Sequence, residues 1–588
     1  MFERDLAAIA SQITSILAEA GLPEAGEVKW QATPLAGQWG MGTNICFQAA
    51  AAEARSGKKV NVPARAQELA KLVAEKLTAP PGFVRLAADK AYLNVYFDTP
   101  TYAARVVDEA ITAGANFGRG GPKNERVMVE FSQPNTHKAF HVGHLRNVIL
   151  GAAMSNILEF AGFDTVRANY IGDIGLHVIK WLWCYLKFHT GEAPTTDRTR
   201  WMGDVYAEAD RLFEDPENEK EVRALFLRWD RHDPELVALW EKTRQWSLDG
   251  FAENYETLDV RFDHFFYESE VEAPGKELVK ELIAKGLATD ERATGGTVYV
   301  NLDQRLGLEK EKYRVLVLLR SDGTSLYSTK DIPLAIQKFQ EWHIDRSVYV
   351  IDVRQSLYMQ QLYKLLELMG FEQAKKCYHL SYEIVNLPGN VAMSSREGTV
   401  VLFEDLVREA TQRAAEAVQA KNPDLTAEQK QMVARAIGLG SIKYPMLCVD
   451  NNKVVTFDWE TAVSFDGKSA PYIQNAYVRA NSILKKAGSL PADGQFDYAL
   501  HPLEVELIEH LSHFPATVQA AALDYKPLHM ANYVYELAQT FHSFYHEAPV
   551  LQAESEAVKN ARLRLVAAVR QTLANGLRLL NIQAPDVM

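Results

Sequence analysis

The sequence predicts an α/β protein: a doubly wound parallel sheet, preceded by an α+β module and followed by a helical bundle. Strand-like and helix-like segments alternate from Val127 to about Val400. This alternation is typical of a parallel sheet covered by helices on both faces. From Pro471 to the C-terminus the sequence has almost no strand pattern, which predicts a helix bundle.

Residues 1–112 predict the small α+β module. A helix opens it (MFERDLAAIASQITSILAEAGL), followed by a glycine-rich stretch (GQWGMGTN), a second helix (PARAQELAKLVAEKL) and a strand (AYLNVYFD). The polar, glycine-rich segment GANFGRGGPKNER then indicates a linker.

The central domain is expected over residues 123–400. Its clearest strands are VRANYI, TVYVN, SVYVIDV and HLSYEIVNL. Between about 176 and 262 lies a stretch rich in tryptophan and charge, which is too long for a loop and predicts a helical insertion. Amphipathic segments over 401–470 predict a helical connecting region, and 471–588 the bundle.

Composition limits the classes of function. The net charge of −13 does not itself indicate a nucleic-acid partner. No apolar run reaches membrane-spanning length, so no membrane association is expected. The four cysteines are far apart without a CxxC pair, which predicts neither structural zinc nor disulfides and favours the cytoplasm.

The most informative segment is VMVEFSQPNTHKAFHVGHLRNVILG, from Val127 to Gly151. It predicts a strand, a polar loop and a helix that opens on HVGH. Free backbone N–H groups and the helix dipole favour phosphate there. Gly143 would let a flat base approach the backbone, and His141 and His144 share one face of the first turn. The segment therefore predicts an adenine-nucleotide site.

Two other interpretations of the histidines stay open. The spacings of His137, His141 and His144 could suit a metal ion, although Pro134 suggests that His137 is still in the loop and Lys138 would repel a cation. The histidines could also simply pack at the start of a helix.

HVGH resembles the HIGH motif of class I aminoacyl-tRNA synthetases. The wider segment FSQPNTHKAFHVGHLRN resembles the arginyl-tRNA synthetases, with matches at Ser132, Pro134, Asn135 and Lys138. The resemblance implies a Rossmann-like catalytic domain that ligates L-arginine to its tRNA through arginyl-adenylate. It also implies ATP with Mg²⁺ carried on it, tRNA bound before arginine is activated, and a monomer.

A second loop, VAMSSREGTVV, resembles the KMSKS motif of the same enzymes. Met393 and Ser394 match, whereas Ser395 and Arg396 depart from the motif. In arginyl-tRNA synthetases a lysine before the histidines is thought to compensate for this loss, and Lys138 fits. The resemblance thus assigns catalysis to Lys138, His141 and His144, and ATP binding to His141, Gly143, His144, Met393, Ser394, Ser395 and Arg396. The alternative for this loop is an ordinary surface turn.

Recognition of arginine is expected in SDGTSLYSTKDIPLAIQKF. Tyr327 and Asp331 are four apart, so on a helix they share a face and could hold a guanidinium group. The resemblance assigns them this role, adds Glu268 and Gln355, and gives the amino-acid backbone to Asn135. Alternatively, Tyr327 and Asp331 are an ordinary amphipathic pair.

Asp173 lies in YIGDIGLH, which resembles a Gly-Asp-x-Gly segment near the active site of the family. It could contact the substrate amino group, but we expect it to cap the following helix. Leu176 and His177 depart from the family pattern.

The resemblance also implies contacts with tRNA. Asn94 and Phe97 match positions in the N-terminal domain that contact the corner of the tRNA; a strand asparagine and a core phenylalanine are the alternative. Tyr472, Arg479 and Met588 match the anticodon-binding region, where unpaired bases stack on side chains. Core packing in the bundle is the alternative for these residues.

Two other functions compete with this interpretation. Another class I synthetase, such as the cysteinyl enzyme, would share HVGH but usually carries zinc ligands. A non-catalytic tRNA-binding paralogue would be expected to lose the histidines or the Tyr327–Asp331 pair, and all are present.

Overall fold

The computed structural model describes residues 3–22, 26–32, 39–387, 391–392 and 402–588. The chain forms two compact units. The first comprises residues 1–117, 476–515 and 536–575, and the second comprises residues 118–475, 516–535 and 576–588.

The first unit begins with an α+β module. Its elements are α1 Glu3–Glu19, β1 Gln31–Ala32, β2 Gly40–Thr43, α2 Ile45–Arg55, α3 Val62–Lys76, β3 Phe83–Asp89, β4 Tyr92–Phe97 and α4 Thr99–Ala113. The strands form an antiparallel sheet in the order β1-β2-β4-β3, and the glycine-rich stretch supplies β2. Apolar faces of α1, α2 and α3 pack with Leu93 and Val95 of β4 to make the core.

The second unit is built on a five-stranded parallel sheet, as the alternating pattern predicts. Its strands are β5 Arg126–Glu130, β6 Asp164–Ile171, β7 His264–Tyr267, β11 Arg346–Asp352 and β12 Cys377–Tyr382. They lie in the order β12-β11-β5-β6-β7. The helices between them are α5 Val142–Ala161, α10 Glu268–Ala284, α12 Tyr327–Trp342 and α13 Ser356–Leu368.

The segment TVYVN forms a strand but does not join this sheet. It is β9 (Val298–Asn301), which pairs antiparallel with β8 (Thr289–Asp290) and β10 (Val315–Leu319). The helix α11, Leu302–Arg305, lies between β9 and β10 in sequence. The alternating pattern marks the strand correctly, but it carries no information about which strand becomes the partner.

Four helices occupy the predicted insertion: α6 Leu176–Phe188, α7 Arg198–Leu212, α8 Pro216–Asp230 and α9 Pro234–Thr257. Asp215 and Asp233 cap α8 and α9, each followed by a proline at the first helical position. A core rich in aromatic residues, including Trp181 and Trp240, holds the helices together.

The rest of the chain is mostly helical. Its elements are β13 Val385–Leu387, β14 Val391–Ala392, α14 Phe403–Lys421, α15 Ala427–Leu447, β15 Val455–Thr456, α16 Trp459–Ala462, α17 Ala470–Ala487, α18 Pro502–Leu523, α19 Pro527–Glu547 and α20 Glu556–Leu579. The last four helices each contribute residues to both units. Within the described ranges, no helix has the length and apolar character that a membrane span requires.

Candidate active site

The loop between β5 and α5 has an unusual backbone, because Ser132, Gln133 and His137 have φ angles of +77°, +46° and +61°. Residues with a Cβ keep such conformations only where the surroundings hold them. Here, Asn147 accepts a hydrogen bond from the Ser132 N–H at 2.6 Å, and Asn169 accepts one from the Gln133 N–H at 3.0 Å. The loop is therefore held in one path at the carboxyl end of the sheet.

His137 is separate from the other two histidines in its contacts. It is fully buried, and its ring nitrogens lie 2.9 Å from the hydroxyls of Thr136 and Thr243. Burial holds its pKa well below the ordinary value. Because both nitrogens have hydroxyl partners, His137 has none directed to an ion shared with His141 and His144, which disfavours the metal interpretation.

His141 and His144 cap the start of α5 reciprocally. The Nδ1 of His141 accepts from the Gly143 N–H at 3.1 Å, and the Nδ1 of His144 accepts from the His141 N–H at 3.3 Å. A Cβ at Gly143 would lie 2.8 Å from the His141 ring, so a side chain there would displace the imidazole.

Both imidazoles are neutral near pH 7. Burial is the main cause: it lowers the pKa of His141 to about 4 and that of His144 well below the ordinary value. Since Nδ1 accepts a hydrogen bond in each ring, the neutral ring carries its proton on Nε2. Two N–H donors are thus available beside the positive end of the helix dipole, an arrangement suited to phosphate oxygens.

A cavity of about 320 Å³ opens beside this loop, at the carboxyl ends of the parallel strands. Ligands bind in this position in doubly wound sheets. Tyr327, Asp331 and Gln355, three of the residues expected to hold arginine, line it together. The other lining residues are Glu130, Gln133, Tyr170, Leu334, Lys338, Tyr349, Ile351, Tyr358, Met359 and Leu362.

Asp331 is one of two acidic side chains that line the cavity; the other is Glu130. It accepts a hydrogen bond from the Tyr358 hydroxyl at 2.5 Å. Burial raises its pKa to about 7; the Tyr358 hydrogen bond opposes this shift, and the charges of Glu130 and Glu268 add to it. A cationic ligand would favour the ionised carboxylate.

Three polar residues of the cavity are not predicted by the sequence patterns: Glu130, Lys338 and Tyr358. Glu130 and Lys338 form a buried ion pair at the cavity although they are 208 residues apart. Lys338 lies seven residues after Asp331, on the same face of α12, so helical spacing could have identified it. Glu130 ends a buried strand at the carboxyl edge of the sheet, which is a second available signal.

Asn135 and Glu268 do not line the cavity. The Asn135 amide lies against Gly172, where an added Cβ would be 2.2 Å from the Asn135 Oδ1. Glu268, the first residue of α10, accepts a hydrogen bond from the Lys330 Nζ at 2.9 Å. Burial raises the pKa of Glu268, and the Lys330 ammonium partly offsets this.

The prediction that Asp173 caps the following helix is wrong. Helix α6 has Gly175 at its N-cap and no side-chain cap. The buried Asp173 carboxylate instead accepts from the Ser269 N–H at 2.9 Å, the Ser269 hydroxyl at 2.7 Å and Arg244 at 2.8 Å. The position of Asp173 shortly before α6 in the sequence suggests that it caps that helix. However, β7 lies beside β6 in the sheet, so α10, which follows β7 directly, begins near Asp173.

Met393, Ser394, Ser395 and Arg396 lie outside the described residues. Where the described chain resumes, Leu402 forms a β-bridge with His141, and the Phe403 N–H donates to the Phe140 carbonyl at 3.2 Å. Leu402 and the start of α14 are therefore held beside the capping histidines.

The residues expected to contact tRNA differ in exposure. Asn94 is half-buried on an inner strand, whereas Phe97 is only 3% exposed and packs against Phe83 and Tyr102. Phe97 is thus a core residue, because the sheet needs an apolar side chain at this inward position, and the expectation of a direct contact is corrected.

In the helical region, Tyr472 is half-buried, with its ring centroid 5.6 Å from that of Tyr535. Arg479 lies 5.2 Å from the Tyr545 ring. Met588 packs against a small core of α14 and α15. Each keeps a partly exposed surface.

Among the described residues, Cys184, His189 and Glu208 are close enough to share a metal ion. Sequence spacing did not reveal this group. The ring nitrogens of His189 are 3.0 Å from Glu192 and 2.9 Å from Glu208, and burial raises the pKa of the Cys184 thiol to about 12. Ion pairing of His189 with the two carboxylates accounts for these contacts.

Comparisons with known proteins agree with this geometry. Residues 106–459 match the family described as tRNA synthetases class I (R), catalytic domain, and residues 473–588 match the DALR anticodon binding domain. The arginine–tRNA ligase of Bdellovibrio bacteriovorus is 38% identical over 510 residues, which cover 84% of this chain and 86% of that protein. The arginine–tRNA ligase of Bacteroides thetaiotaomicron is 34% identical over 552 residues, which cover 89% and 91%.

A solved structure agrees over the whole chain. The arginyl-tRNA synthetase of Thermus thermophilus superposes with a TM-score of 0.79 at 28% identity, covering 99% of this chain and 100% of that one. The sequence relatives decide between the rival class I enzymes, because both relatives named above are arginine–tRNA ligases. The chain belongs to the arginyl-tRNA synthetases, and it uses ATP to join arginine to tRNA.

Proposed function

We propose that the 320 Å³ cavity binds the arginine side chain and that the His141–His144 turn binds the triphosphate of ATP. The observation that carries this proposal is that Tyr327, Asp331 and Gln355 line one cavity together with Gln133, a residue of the loop that leads to His141. The two reactants would then meet at the carboxyl edge of the sheet.

Arginine recognition depends on charge and planarity. The Asp331 carboxylate and the Tyr327 hydroxyl accept hydrogen bonds from the guanidinium group, whose fork of N–H donors suits such acceptors. Tyr358 orients Asp331. Gln355 completes the selection of the side chain within the cavity. Glu268 and Asn135 lie outside the cavity lining, and in this proposal they contact the arginine from there, Asn135 at the amino-acid backbone.

The chemical step needs no protein nucleophile. The arginine carboxylate attacks the α-phosphorus of ATP, the bond to the bridging oxygen breaks, and pyrophosphate leaves. His141 and His144 donate from Nε2 to phosphate oxygens, and the Lys138 ammonium offsets the charge that develops on them. A terminal ribose hydroxyl of tRNA then attacks the adenylate carbonyl, and AMP leaves. The protein contributes position and electrostatics.

Mg²⁺ enters as part of the substrate MgATP in this proposal. Lys138, His141 and His144 offer nitrogen atoms to the phosphates, whereas Mg²⁺ prefers oxygen ligands. The ion therefore has its ligands on ATP and water. Met393, Ser394, Ser395 and Arg396 are proposed to contact the same phosphates.

We assign tRNA binding to both ends of the chain. Residues 1–112 contact the corner of the tRNA through Asn94, and Phe97 supports that strand from the core. Residues 471–588 bind the anticodon through Tyr472, Arg479 and Met588, connected to the catalytic residues 123–400 by the helices of 401–470. A cytoplasmic monomer is the proposed state, and light scattering on the purified enzyme tests its mass.

Arginine-dependent pyrophosphate exchange, with and without tRNA, tests the arginine site. Asp331→Asn is expected to raise the KM for arginine at least about a hundredfold, because a buried charge-assisted contact with the substrate is lost. Asp322→Asn, an exposed carboxylate on the preceding turn, is the matched control and should leave KM unchanged. An unchanged KM in Asp331→Asn would exclude this cavity as the arginine site.

The same assay tests the phosphate site. His144→Ala is expected to lower the exchange rate at least about tenfold, since a donor to the transition state is lost. His529→Ala, a partly exposed histidine of α19, serves as the control. A near-normal rate for His144→Ala would remove His144 from the site.

A further inference from the structure

We propose that Tyr206, on helix α7 of the insertion, is a positioning residue for Lys138. This inference rests on the role proposed above for Lys138 at the phosphates. The Lys138 Nζ lies 4.8 Å from the centroid of the Tyr206 ring. Across the part of the chain that the structure describes, Lys138 makes no hydrogen bond or ion pair, so the aromatic face is its one specific contact.

A glycine one turn earlier brings the ring to the lysine. A Cβ at Gly203 would lie 2.4 Å from the Ala139 Cβ and 3.0 Å from the Ala139 backbone nitrogen. Helix α7 can therefore approach the loop this closely only without a side chain at that position. Residues three apart share a helix face, so the contact at Gly203 directs Tyr206 towards Lys138.

The kind of contact matters for the chemistry. An aromatic face attracts an ammonium group through the ring quadrupole and carries no net charge, so it holds the N–H donors less tightly than a carboxylate and leaves them to phosphate oxygens. A carboxylate would use those donors and compete with the phosphates. Tyr206 thus restrains the long, flexible lysine while leaving its charge free to act on ATP.

A carboxylate that could compete for Lys138 is already engaged. Asp210, one turn after Tyr206, is 2.7 Å from the Lys180 Nζ, and the Lys180 ammonium also lies 3.8 Å from the centroid of the Phe213 ring. Asp210 is close enough to raise the pKa of Lys138, although burial lowers it overall. Lys180 keeps Asp210 from taking Lys138 into an ion pair.

Kinetics of Tyr206 variants test the inference. Tyr206→Leu is expected to lower kcat/KM for ATP in pyrophosphate exchange about five- to tenfold, with the KM for arginine and the melting temperature unchanged. Tyr206→Phe keeps the ring face and should retain at least about half of the activity. Phe188→Leu, an exposed ring near Lys187 in the same insertion, is the matched control.

A second background separates this inference from the proposed function. In Lys138→Ala, the further change Tyr206→Leu should alter the rate by less than about twofold, because the ring then has no ammonium to position. Equal losses in both backgrounds, or equal losses for Leu and Phe, would overturn the inference alone. Near-normal activity of Lys138→Ala itself would overturn the role of Lys138, and the inference with it.

Discussion

Burial acts on the basic and the acidic side chains of the active site in opposite ways. It keeps His141 and His144 neutral, so they act as hydrogen-bond donors and not as fixed cations. It also favours the protonated form of Asp331, whose pKa is raised to about 7. Arginine, which is always cationic, therefore selects the ionised form of Asp331 as it binds.

Arginine affinity should fall with acidity for this reason. Below pH 7 the free enzyme carries a proton on Asp331, and binding of the guanidinium group must release it. The KM for arginine is expected to rise about fivefold from pH 7 to pH 6, because half of Asp331 is already protonated at pH 7, whereas above about pH 8 it should be constant. Exchange kinetics between pH 5.5 and 8.5 measure this dependence.

Two controls belong to this pH experiment. The KM for ATP should not follow the same profile, because His141 and His144 titrate far below this range. Asp331→Asn should abolish the dependence altogether. A KM for arginine that stays constant down to pH 6 would contradict a raised pKa at Asp331.

Asp173 connects the end of β6 with two helices. Its carboxylate accepts hydrogen bonds from Arg244 of α9 and from the N–H and the hydroxyl of Ser269, near the start of α10. Its carbonyl accepts from the Trp240 indole at 2.7 Å. Since α10 begins with Glu268, this cluster orients one of the carboxylates proposed to recognise arginine.

Asp173→Ala should therefore destabilise the fold and weaken arginine binding together. Removing one partner of a buried pair leaves Arg244 and the Ser269 N–H without their acceptor, at a cost of about 3 kcal/mol. The urea midpoint and the KM for arginine measure the two effects. Asp215→Ala, which removes an exposed cap of α8, should cost only about 1 kcal/mol and leave KM unchanged.

The parts of the architecture that depend on neighbouring residues could be predicted from the sequence, and the parts that depend on distant residues could not. The strand, loop and helix around His141 depend on neighbouring residues, and their prediction is confirmed by β5 and α5. The partners of β9 and the Glu130–Lys338 pair depend on residues that meet only in the folded chain. A hydrophobic pattern with a period of two or 3.6 residues predicts strands and helices, but it does not show which distant residues will contact each other.

The first compact unit shows the same limit. The polar, glycine-rich segment after residue 112 suggests a separate N-terminal domain. In the structure, however, residues 1–117 form one unit with parts of the C-terminal helices. Phe117, only 1% exposed, stacks on Phe514 with 5.7 Å between ring centroids. Asn575 donates hydrogen bonds to the carbonyls of Gly114 and Phe117.

Phe117→Ala should accordingly loosen α18 and α20 as well as the N-terminal module. A buried ring replaced by a methyl group leaves a cavity that costs about 3 kcal/mol. Amide hydrogen exchange should show faster exchange in residues 504–514 and 561–575, because these segments share the core that the ring fills. Phe47→Ala, at a ring that is 43% exposed, should leave those segments protected. Faster exchange confined to residues 3–113 would mean that α18 and α20 are stable independently of the N-terminal module.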